Sequence, residues 1–292
     1  MTCSDFPRFG PAGNDAGFHD EKLKMPGDIV PYLRRFGLTA YEYQCGRGVR
    51  VKEENAAVLK AAAAAADVAL SLHGPYYISL SGVQEETRLH SLDYILQSAK
   101  AADLMGADRV IVHTGSAGKI TRERALELAA DTLKRALELL EEEHLSHISL
   151  CPETMGKVNQ LGTLEEVVAL CRMDERLIPC VDFGHLYARS MGRDQGAEFF
   201  AYAQKLMEDR LGAERGRCFH VHFSHIRFTD PGGEKSHTVF EDPEWGPDFA
   251  PLGRLIARKH LAPRIICESA GTQARDAQTM MEAVRMEQEK ER

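Results

Sequence analysis

Short apolar stretches alternate with longer amphipathic stretches along most of the chain. The short stretches have the length and the aliphatic composition of buried strands, whereas the longer ones repeat apolar residues at helical spacing. The predicted strands are residues 6–9, 40–45, 68–73, 109–113, 147–153, 177–182, 217–223 and 264–269. The predicted helices are residues 24–37, 53–68, 86–105, 121–143, 163–173, 195–212, 248–260 and a charged final helix at 272–292.

This alternation predicts the fold class. Thr121 and Thr163 stand where helix N-caps belong, and Glu166 follows Thr163 at capping-box spacing. Strictly alternating strands and helices imply a parallel sheet with helical crossovers, and eight such units imply closure into a barrel. The alternative is an open doubly wound sheet, but no GxGxxG follows the first strand and no Walker A motif is present. We therefore predict an α/β protein with a single (β/α)8 TIM-barrel domain over residues 1–292.

Composition and charge restrict the function without identifying it. A chain of 292 residues with 43% hydrophobic and 27% charged residues is ordinary for a globular enzyme of this fold. Seven cysteines without a CxxC pair favour reduced thiols and a cytoplasmic protein, and neither a signal peptide nor a membrane-spanning apolar run is evident. A net charge of −8 argues against broad nonspecific binding of nucleic acid but permits a local basic groove.

Six consecutive predicted strands end in histidine, glutamate or aspartate. In a barrel these carboxyl ends converge on one face, where the active sites of such folds lie. A mixture of imidazoles and carboxylates suits Zn²⁺, with Mn²⁺ or Fe²⁺ also possible, whereas Ca²⁺ and Mg²⁺ favour oxygen donors. The donors exceed what one four-coordinate ion needs, so more than one ion is predicted. The strand-end residues are His73, His113, Glu153, Asp182, His222 and Glu268.

These strand-end motifs resemble those of the endonuclease IV family of apurinic/apyrimidinic endonucleases, within the xylose-isomerase-like barrels, over nearly the whole chain. The resemblance implies two to three zinc ions. The first ion would be held by His73, His113 and Glu153, and Glu153 would bridge to a second ion held by Asp182, His222 and Glu268.

A third ion is implied by His185, which follows Asp182 in the D-x-x-H pattern of that family. The family completes this site with D-x-H in the loop after strand seven. This sequence reads GGEKSHT there, so it offers His237 and, less strongly, Glu234 at a spacing longer by one residue.

The same resemblance implies contacts to damaged double-stranded DNA. Tyr76 occupies the place of an aromatic wedge, and Arg47 and Arg50 stand in a basic loop. The plainer alternatives are that Tyr76 shapes the pocket and that the arginines belong to a solvated loop. His220 and His225, which flank His222, are expected to support the ligands rather than to bind metal.

The implied activity is metal-dependent cleavage of DNA 5′ to abasic sites in base-excision repair, with Glu153 bridging two ions and Glu268 beside it. The main alternative is a sugar isomerase or epimerase, in which Glu153 and Glu268 flank one ion as acid and base and the partner is a small sugar or sugar phosphate. A metal-binding or nucleic-acid-binding module without turnover is a third alternative. No obligate protein partner is evident, and Cys151, deeper on the same strand as Glu153, is not expected to be catalytic.

Overall fold

The computed structural model describes residues 4–290, and its strands form one parallel eight-stranded sheet. The spatial order is β1-β10-β7-β6-β5-β4-β3-β2. The two end strands also meet, since Thr39 N donates to Phe9 O at 3.0 Å and Gly13 N donates to Glu42 O at 2.9 Å. The sheet is therefore a nearly closed barrel, and the predicted TIM-barrel fold is confirmed. The barrel strands are β1 (Arg8–Pro11), β2 (Ala40–Gln44), β3 (Ala69–His73), β4 (Arg109–His113), β5 (Ser149–Glu153), β6 (Cys180–Asp182), β7 (His220–Phe223) and β10 (Arg264–Cys267).

All eight predicted barrel strands exist, but some of their predicted limits are wrong. The first strand runs from Arg8 to Pro11 rather than over residues 6–9. The seventh begins at His220 because the residues just before it, 213–217, form a short helix. The sixth is confined to residues 180–182, with one isolated bridge between Leu150 and Leu177.

The predicted helices are present on the outside of the barrel. Thr121 accepts a hydrogen bond from Arg124 N, and Thr163 and Glu166 form the expected capping box. Three short helices were not predicted, namely α1, α7 and α9. The helices are α1 (Ala16–Asp20), α2 (Ile29–Arg35), α3 (Glu53–Ala65), α4 (Glu85–Met105), α5 (Arg122–Glu142), α6 (Leu164–Cys171), α7 (Phe183–Arg189), α8 (Gly196–Leu211), α9 (Ala213–Arg217), α10 (Ala250–Arg258) and α11 (Gln273–Lys290). The predicted final helix ended at 292, and residues 291–292 lie outside the described range.

A small apolar layer fills the barrel interior below the strand ends. Ile111, Cys151, Ile178 and Cys180 form it, and each is at most 1% exposed. Three of them lie two residues before His113, Glu153 and Asp182, so strand alternation points them into the same interior. This layer forms an apolar floor beneath the polar strand ends.

The cysteines are mostly buried thiols. Cys45, Cys151, Cys171, Cys180 and Cys267 are free and buried, as expected. Cys218 is disulfide-bonded, so the expectation of reduced thiols is wrong for this residue.

A two-stranded antiparallel hairpin stands outside the barrel sheet, between β7 and α10. Its strands are β8 (Ile226–Thr229) and β9 (Gly233–His237). Arg227 pairs with Ser236 whereas Phe228 pairs with Glu234, so Lys235 is the extra residue of a β-bulge. The hairpin was not predicted from the sequence. Within residues 4–290, no helix has both the length and the apolar character needed to cross a membrane.

Candidate metal centre at the carboxyl ends of the strands

Four of the six strand-end residues line a single cleft of about 440 Å³, and the other two, Asp182 and His222, have donor atoms within 4.8 Å of those of Glu153 and Glu268. Their side chains come from β3, β4, β5, β6 and β7 and from the residue after β10. His73, Glu153, Asp182 and His222 are buried, and His113 and Glu268 are partly buried. The residues lining the cleft are His73, Tyr76, His113, Glu153, Met155, Lys157, Gln160, His185, Glu234, His237 and Glu268.

The first donor set consists of His73, His113 and Glu153, whose donor atoms lie within 4.8 Å of one another. Glu153 Oε2 is 3.6 Å from His73 Nε2 and 3.4 Å from His113 Nε2. The two rings are packed edge to face, with centroids 5.2 Å apart. These three residues were grouped together from the sequence, and the structure brings them together.

The second donor set consists of Glu153, Asp182, His222 and Glu268, again within 4.8 Å of one another. His222 Nδ1 is 2.7 Å from Glu153 Oε1 and 3.6 Å from Glu268 Oε1. Glu153 thus belongs to both sets and presents one carboxylate oxygen to each. That is the geometry required of a bridging carboxylate.

The third donor set consists of His185, Glu234 and His237. His185 Nε2 is 3.6 Å from Glu234 Oε2. In a regular strand, residues three apart point to opposite faces, but the bulge at Lys235 restores Glu234 and His237 to one side. The additional residue in GGEKSHT is therefore absorbed by the bulge.

Helix α7 explains the spacing between Asp182 and His185. Asp182 is the last residue of β6 and also the N-cap of α7, where its Oδ1 accepts a hydrogen bond from His185 N at 2.7 Å. The cap fixes both side chains at the junction of strand and helix. One motif therefore contributes to two donor sets.

Hydrogen bonds orient three of the imidazoles through Nδ1. His73 Nδ1 donates to Gly74 O at 2.8 Å and His185 Nδ1 donates to Thr154 O at 2.9 Å, since a carbonyl can only accept. His237 Nδ1 is 2.8 Å from the hydroxyl oxygen of Ser224. In His73 and His185 this arrangement directs Nε2 into the cleft.

The titration behaviour follows from burial and from the crowding of charges. Burial opposes ionisation of Glu153, but the charge of His222 and the hydrogen bond from its Nδ1 hold the pKa of Glu153 well below its usual value. Burial raises the pKa of Glu268, and the charges of His222 and His237 offset this only in part. Burial lowers the pKa of His113 to about 4. Burial also acts to lower the pKa of His73, but the neighbouring carboxylate of Glu153 raises it to about 9.

Two buried oxygen atoms show that cations fit this centre. Glu153 Oε2 and Asp182 Oδ2 are inaccessible to solvent and have no hydrogen-bond partner among the described residues. A buried acceptor without a donor is costly, and divalent ions in the first and second donor sets would satisfy these oxygens. The mixture of imidazole and carboxylate donors is the one expected for a transition metal such as zinc.

The DNA-contact candidates lie at the rim. Tyr76 is 59% exposed, and its ring stacks on His113 with centroids 5.6 Å apart. Its backbone N donates to Gly46 O, and a Cβ at Gly46 would overlap the Tyr76 ring, so the loop after β2 packs directly against the aromatic side chain. Arg47 and Arg50 are exposed in this loop but do not line the cleft.

The other candidates lie apart from the three donor sets around Glu153 and His185. His220 is fully buried one layer deeper, 3.1 Å from Glu42, and burial lowers its pKa to about 3. Cys180, one layer below Asp182, has its sulfur within 4.8 Å of ring nitrogens of His220 and His222. His225 stacks on Phe240 instead. Cys151 is buried in the apolar layer, and burial raises the pKa of its thiol to about 12, as expected for a residue without a catalytic role.

Two residues that the sequence analysis did not select belong to this region. Glu42 of β2 is fully buried and lies 3.0 Å from His222 Nε2. Its signal in the sequence is a glutamate inside the apolar strand AYEYQC. Lys157 lines the cleft beside Glu234, and it carries a positive charge at the end of a loop that follows β5. No spacing rule singles out Lys157, because it lies four residues beyond the strand end.

The chain is similar to known proteins in sequence and in structure. The model of the xylose isomerase-like TIM barrel family matches residues 30–286. An uncharacterized protein of Methanocaldococcus jannaschii, MJ0133, is 31% identical over 261 residues, which cover 89% of this chain and 91% of that protein. A probable endonuclease 4 of Mycoplasma pneumoniae is 26% identical over 160 residues, which cover 52% of each chain.

Solved structures give the same fold at lower identity. A D-tagatose 3-epimerase-like protein superposes with a TM-score of 0.70 and 18% identity, covering 98% of this chain and 100% of that chain. Endonuclease IV from Thermus thermophilus superposes with a TM-score of 0.66 and 21% identity, covering 97% and 100%. At these identities the superpositions establish the shared barrel alone.

Proposed function

The chain belongs to the xylose isomerase-like TIM barrel family, and on this premise we propose that it is a metal-dependent phosphodiesterase that cleaves DNA 5′ to abasic sites. The observation that carries this proposal is the presence, among five groups of potential ligands, of the three donor sets, two of which share Glu153. An isomerase that uses one ion needs only the second set. His73, His113 and the third set have no metal role in that chemistry, whereas hydrolysis of a phosphodiester by several ions uses all three sets.

Each donor set has a distinct place in the proposed chemistry. Bound zinc ions, two or three in number, would activate water for attack and neutralise charge on the phosphate. Glu153 would hold two cations at a fixed separation through its two oxygens, and Glu268 would complete the second set. His185, Glu234 and His237, which also line the cleft, would hold a third ion that neutralises charge on the leaving oxygen.

The surroundings of the cleft suit a phosphate diester. Lys157 lines the cleft with an exposed side chain, and its ammonium can approach a phosphate oxygen without breaking an ion pair recorded in this structure. Tyr76 presents an exposed aromatic face at the mouth. A flat ring of this kind can stack on a base and replace stacking that is lost beside an abasic position.

Relatives support this proposal without deciding it. The Mycoplasma pneumoniae relative is named a probable endonuclease 4, and the match covers half of each chain. We propose endonuclease activity for this chain as well, because its three donor sets suit metal-dependent cleavage of a phosphodiester. The alternative of a sugar epimerase is favoured by one observation, that the pKa of Glu268 is raised while that of Glu153 is lowered, because two carboxyl groups whose pKa values are pushed apart are suited to act as an acid–base pair.

One experiment separates the two activities. Protein reconstituted with zinc is incubated with a duplex containing a stable abasic analogue, with the undamaged duplex, and with ketohexoses. We expect a single nick 5′ to the abasic position that leaves a 3′-hydroxyl, no nick in the undamaged duplex and no sugar interconversion. Epimerisation of a ketose without cleavage of the abasic duplex would replace the proposal with the sugar-epimerase alternative.

A further inference from the structure

Glu42 is a buried carboxylate inside the barrel that belongs to none of the three donor sets. Packing alone does not explain a charged side chain at this position. It lies in β2 and is fully buried. Ser71 Oγ donates to its Oε2 at 2.9 Å and Gln44 Nε2 donates to its Oε1 at 3.2 Å. The remaining neighbours are imidazoles, with His220 Nε2 at 3.1 Å and His222 Nε2 at 3.0 Å.

His222 differs from the other histidines of the centre. His73 and His185 donate from Nδ1 to a backbone carbonyl and direct Nε2 into the cleft. His222 is reversed, since its Nδ1 faces Glu153 and Glu268 while its Nε2 faces Glu42. The ring nitrogen of His222 that points away from the donor set therefore faces an ionisable side chain, Glu42, whereas the corresponding nitrogens of His73 and His185 face backbone carbonyls.

The contact between His222 and Glu42 is electrostatic rather than a fully aligned hydrogen bond. The Nε2 of His222 has no well-aligned acceptor among the described residues, and the carboxylate of Glu42 is the acceptor within reach. A carboxylate at this position favours the form of the ring that carries its proton on Nε2. That form would present the lone pair of Nδ1 to an ion of the second donor set, in place of the 2.7 Å hydrogen bond between Nδ1 and Glu153 Oε1.

A purely structural role would not call for a carboxylate here. Burial of a charged group costs free energy unless partners compensate, and an apolar residue of similar volume is often as stable or more so. Ser71 and Gln44 donate to different oxygens of Glu42, and an amide, which has a single accepting oxygen, could accept only one of these hydrogen bonds in the same geometry. What a carboxylate adds is negative charge against the imidazole of His222.

We propose that Glu42 is a positioning residue that fixes the orientation and the proton position of His222, so that Nδ1 of His222 binds the ion of the second donor set. This inference rests on the proposed metal-dependent function. Outer partners of metal-binding histidines commonly change metal affinity by roughly 10- to 100-fold when they are removed. The inference therefore predicts an effect on one ion and not on the others.

Zinc binding without substrate tests the proposal. Wild type, Glu42→Gln and the control Thr132→Val, a buried polar residue of α5 that bonds to Leu80 O, are dialysed against a series of zinc buffers, and bound zinc is counted. In Glu42→Gln we expect one ion to bind roughly 10- to 100-fold more weakly while the others keep wild-type affinity. Thr132→Val should match wild type. Isotherms of Glu42→Gln that superimpose on wild type would overturn the proposal.

A measurement on wild type does not depend on how the variants fold. Nitrogen-15 NMR of the zinc-loaded protein should assign His222 as bound through Nδ1 with its proton on Nε2. Binding through Nε2, or a His222 that stays protonated on both nitrogens, would overturn the proposal. Because neither readout uses DNA, zinc binding with the expected His222 form but without cleavage would refute the proposed nuclease and leave the role of Glu42 standing.

Discussion

Tyr76 lies face to face with His113, with ring centroids 5.6 Å apart and planes inclined by 23°. One face of the tyrosine thus covers a candidate metal ligand while the ring as a whole stays 59% exposed. Strand β3 and the turn after it therefore bring together a ligand, His73, and an exposed aromatic side chain. The two residues should respond differently to substitution.

Truncation of His73 and of Tyr76 should separate metal binding from duplex binding. His73→Ala should lose zinc from the first donor set and lose activity on every substrate. Tyr76→Ala should keep its zinc and its hydrolysis of a small activated phosphodiester, yet weaken cleavage of an abasic duplex by about 1–3 kcal/mol, the range of an aromatic–base stack. The measurements are zinc content and kcat/KM on both substrates. Equal activity of Tyr76→Ala and wild type on the abasic duplex would remove DNA stacking from the role of Tyr76.

Removal of the charge of Glu153 should stop turnover. Glu153→Gln keeps the side-chain volume, but a neutral amide bridges two cations poorly, so we expect the loss of nearly all activity and of tightly bound zinc. The fold should persist, because the barrel core does not include this carboxylate. Circular dichroism and an activity assay check both halves of the prediction. Activity above a few per cent of wild type would show that Glu153 is not central to the reaction.

The third donor set should bind its ion independently of the first. His237→Ala removes an imidazole from the hairpin and should lower the zinc count by about one, since a tetrahedral site tolerates the loss of a ligand badly. Ser236→Ala, an exposed neighbour on the same strand, should leave the count unchanged and serves as the matched control. A zinc count that is the same in His237→Ala and wild type would limit the centre to the two sets around Glu153.

Lys157 should act through the phosphate rather than through the metals. Lys157→Ala should weaken duplex binding and reduce the slope of log K against log salt by about 1, as loss of one phosphate contact does. Zinc content should stay at the wild-type level. Lys134→Ala, on the outer helix α5, should change neither quantity. If Lys157→Ala and wild type have the same salt slope, Lys157 does not contact a phosphate of the DNA.

At the opposite end of the barrel, Asp108 should make stability depend on pH. Burial opposes its ionisation, but Arg264, 2.7 Å away, and Arg109 lower the pKa of Asp108 to about 2. The folded pKa lies below the unfolded value of about 3.9, so the stabilisation is present above about pH 4 and is lost as the pH falls towards 2. The side chain is 39% exposed, which limits the contribution to about 1 kcal/mol.

Urea unfolding of Asp108→Asn and wild type checks this dependence. The difference in unfolding free energy should be about 1 kcal/mol at pH 7 and should shrink steadily below pH 4. Glu282→Gln, at an exposed position of α11, should match wild type throughout. A difference that stays constant between pH 7 and pH 3 would show that the pKa of Asp108 is not lowered by folding.

The barrel and most of the centre could be predicted from the sequence because both depend on period and position. Alternating strands and helices fix the topology, and residues at consecutive strand ends meet wherever a parallel sheet closes. Glu42 could not be predicted, since its importance arises from β7 lying across the barrel from β2. The bulge at Lys235 was also beyond prediction. Strand alternation from GGEKSHT alone would direct Glu234 and His237 to opposite faces, and only the pairing with β8 reverses that.

The hairpin has an implication for how such a centre can change. The first and second donor sets are built into barrel strands, where a one-residue shift would turn every side chain to the other face. The third set draws two of its members from a hairpin that lies outside the barrel sheet and contacts the loop after β5 through the bridge between Lys157 and Gly233. The bulge at Lys235 takes up one residue within the hairpin, and the register of the barrel strands does not depend on it. A change of length in the hairpin would therefore alter the third donor set alone and leave Glu153 and His222 in place.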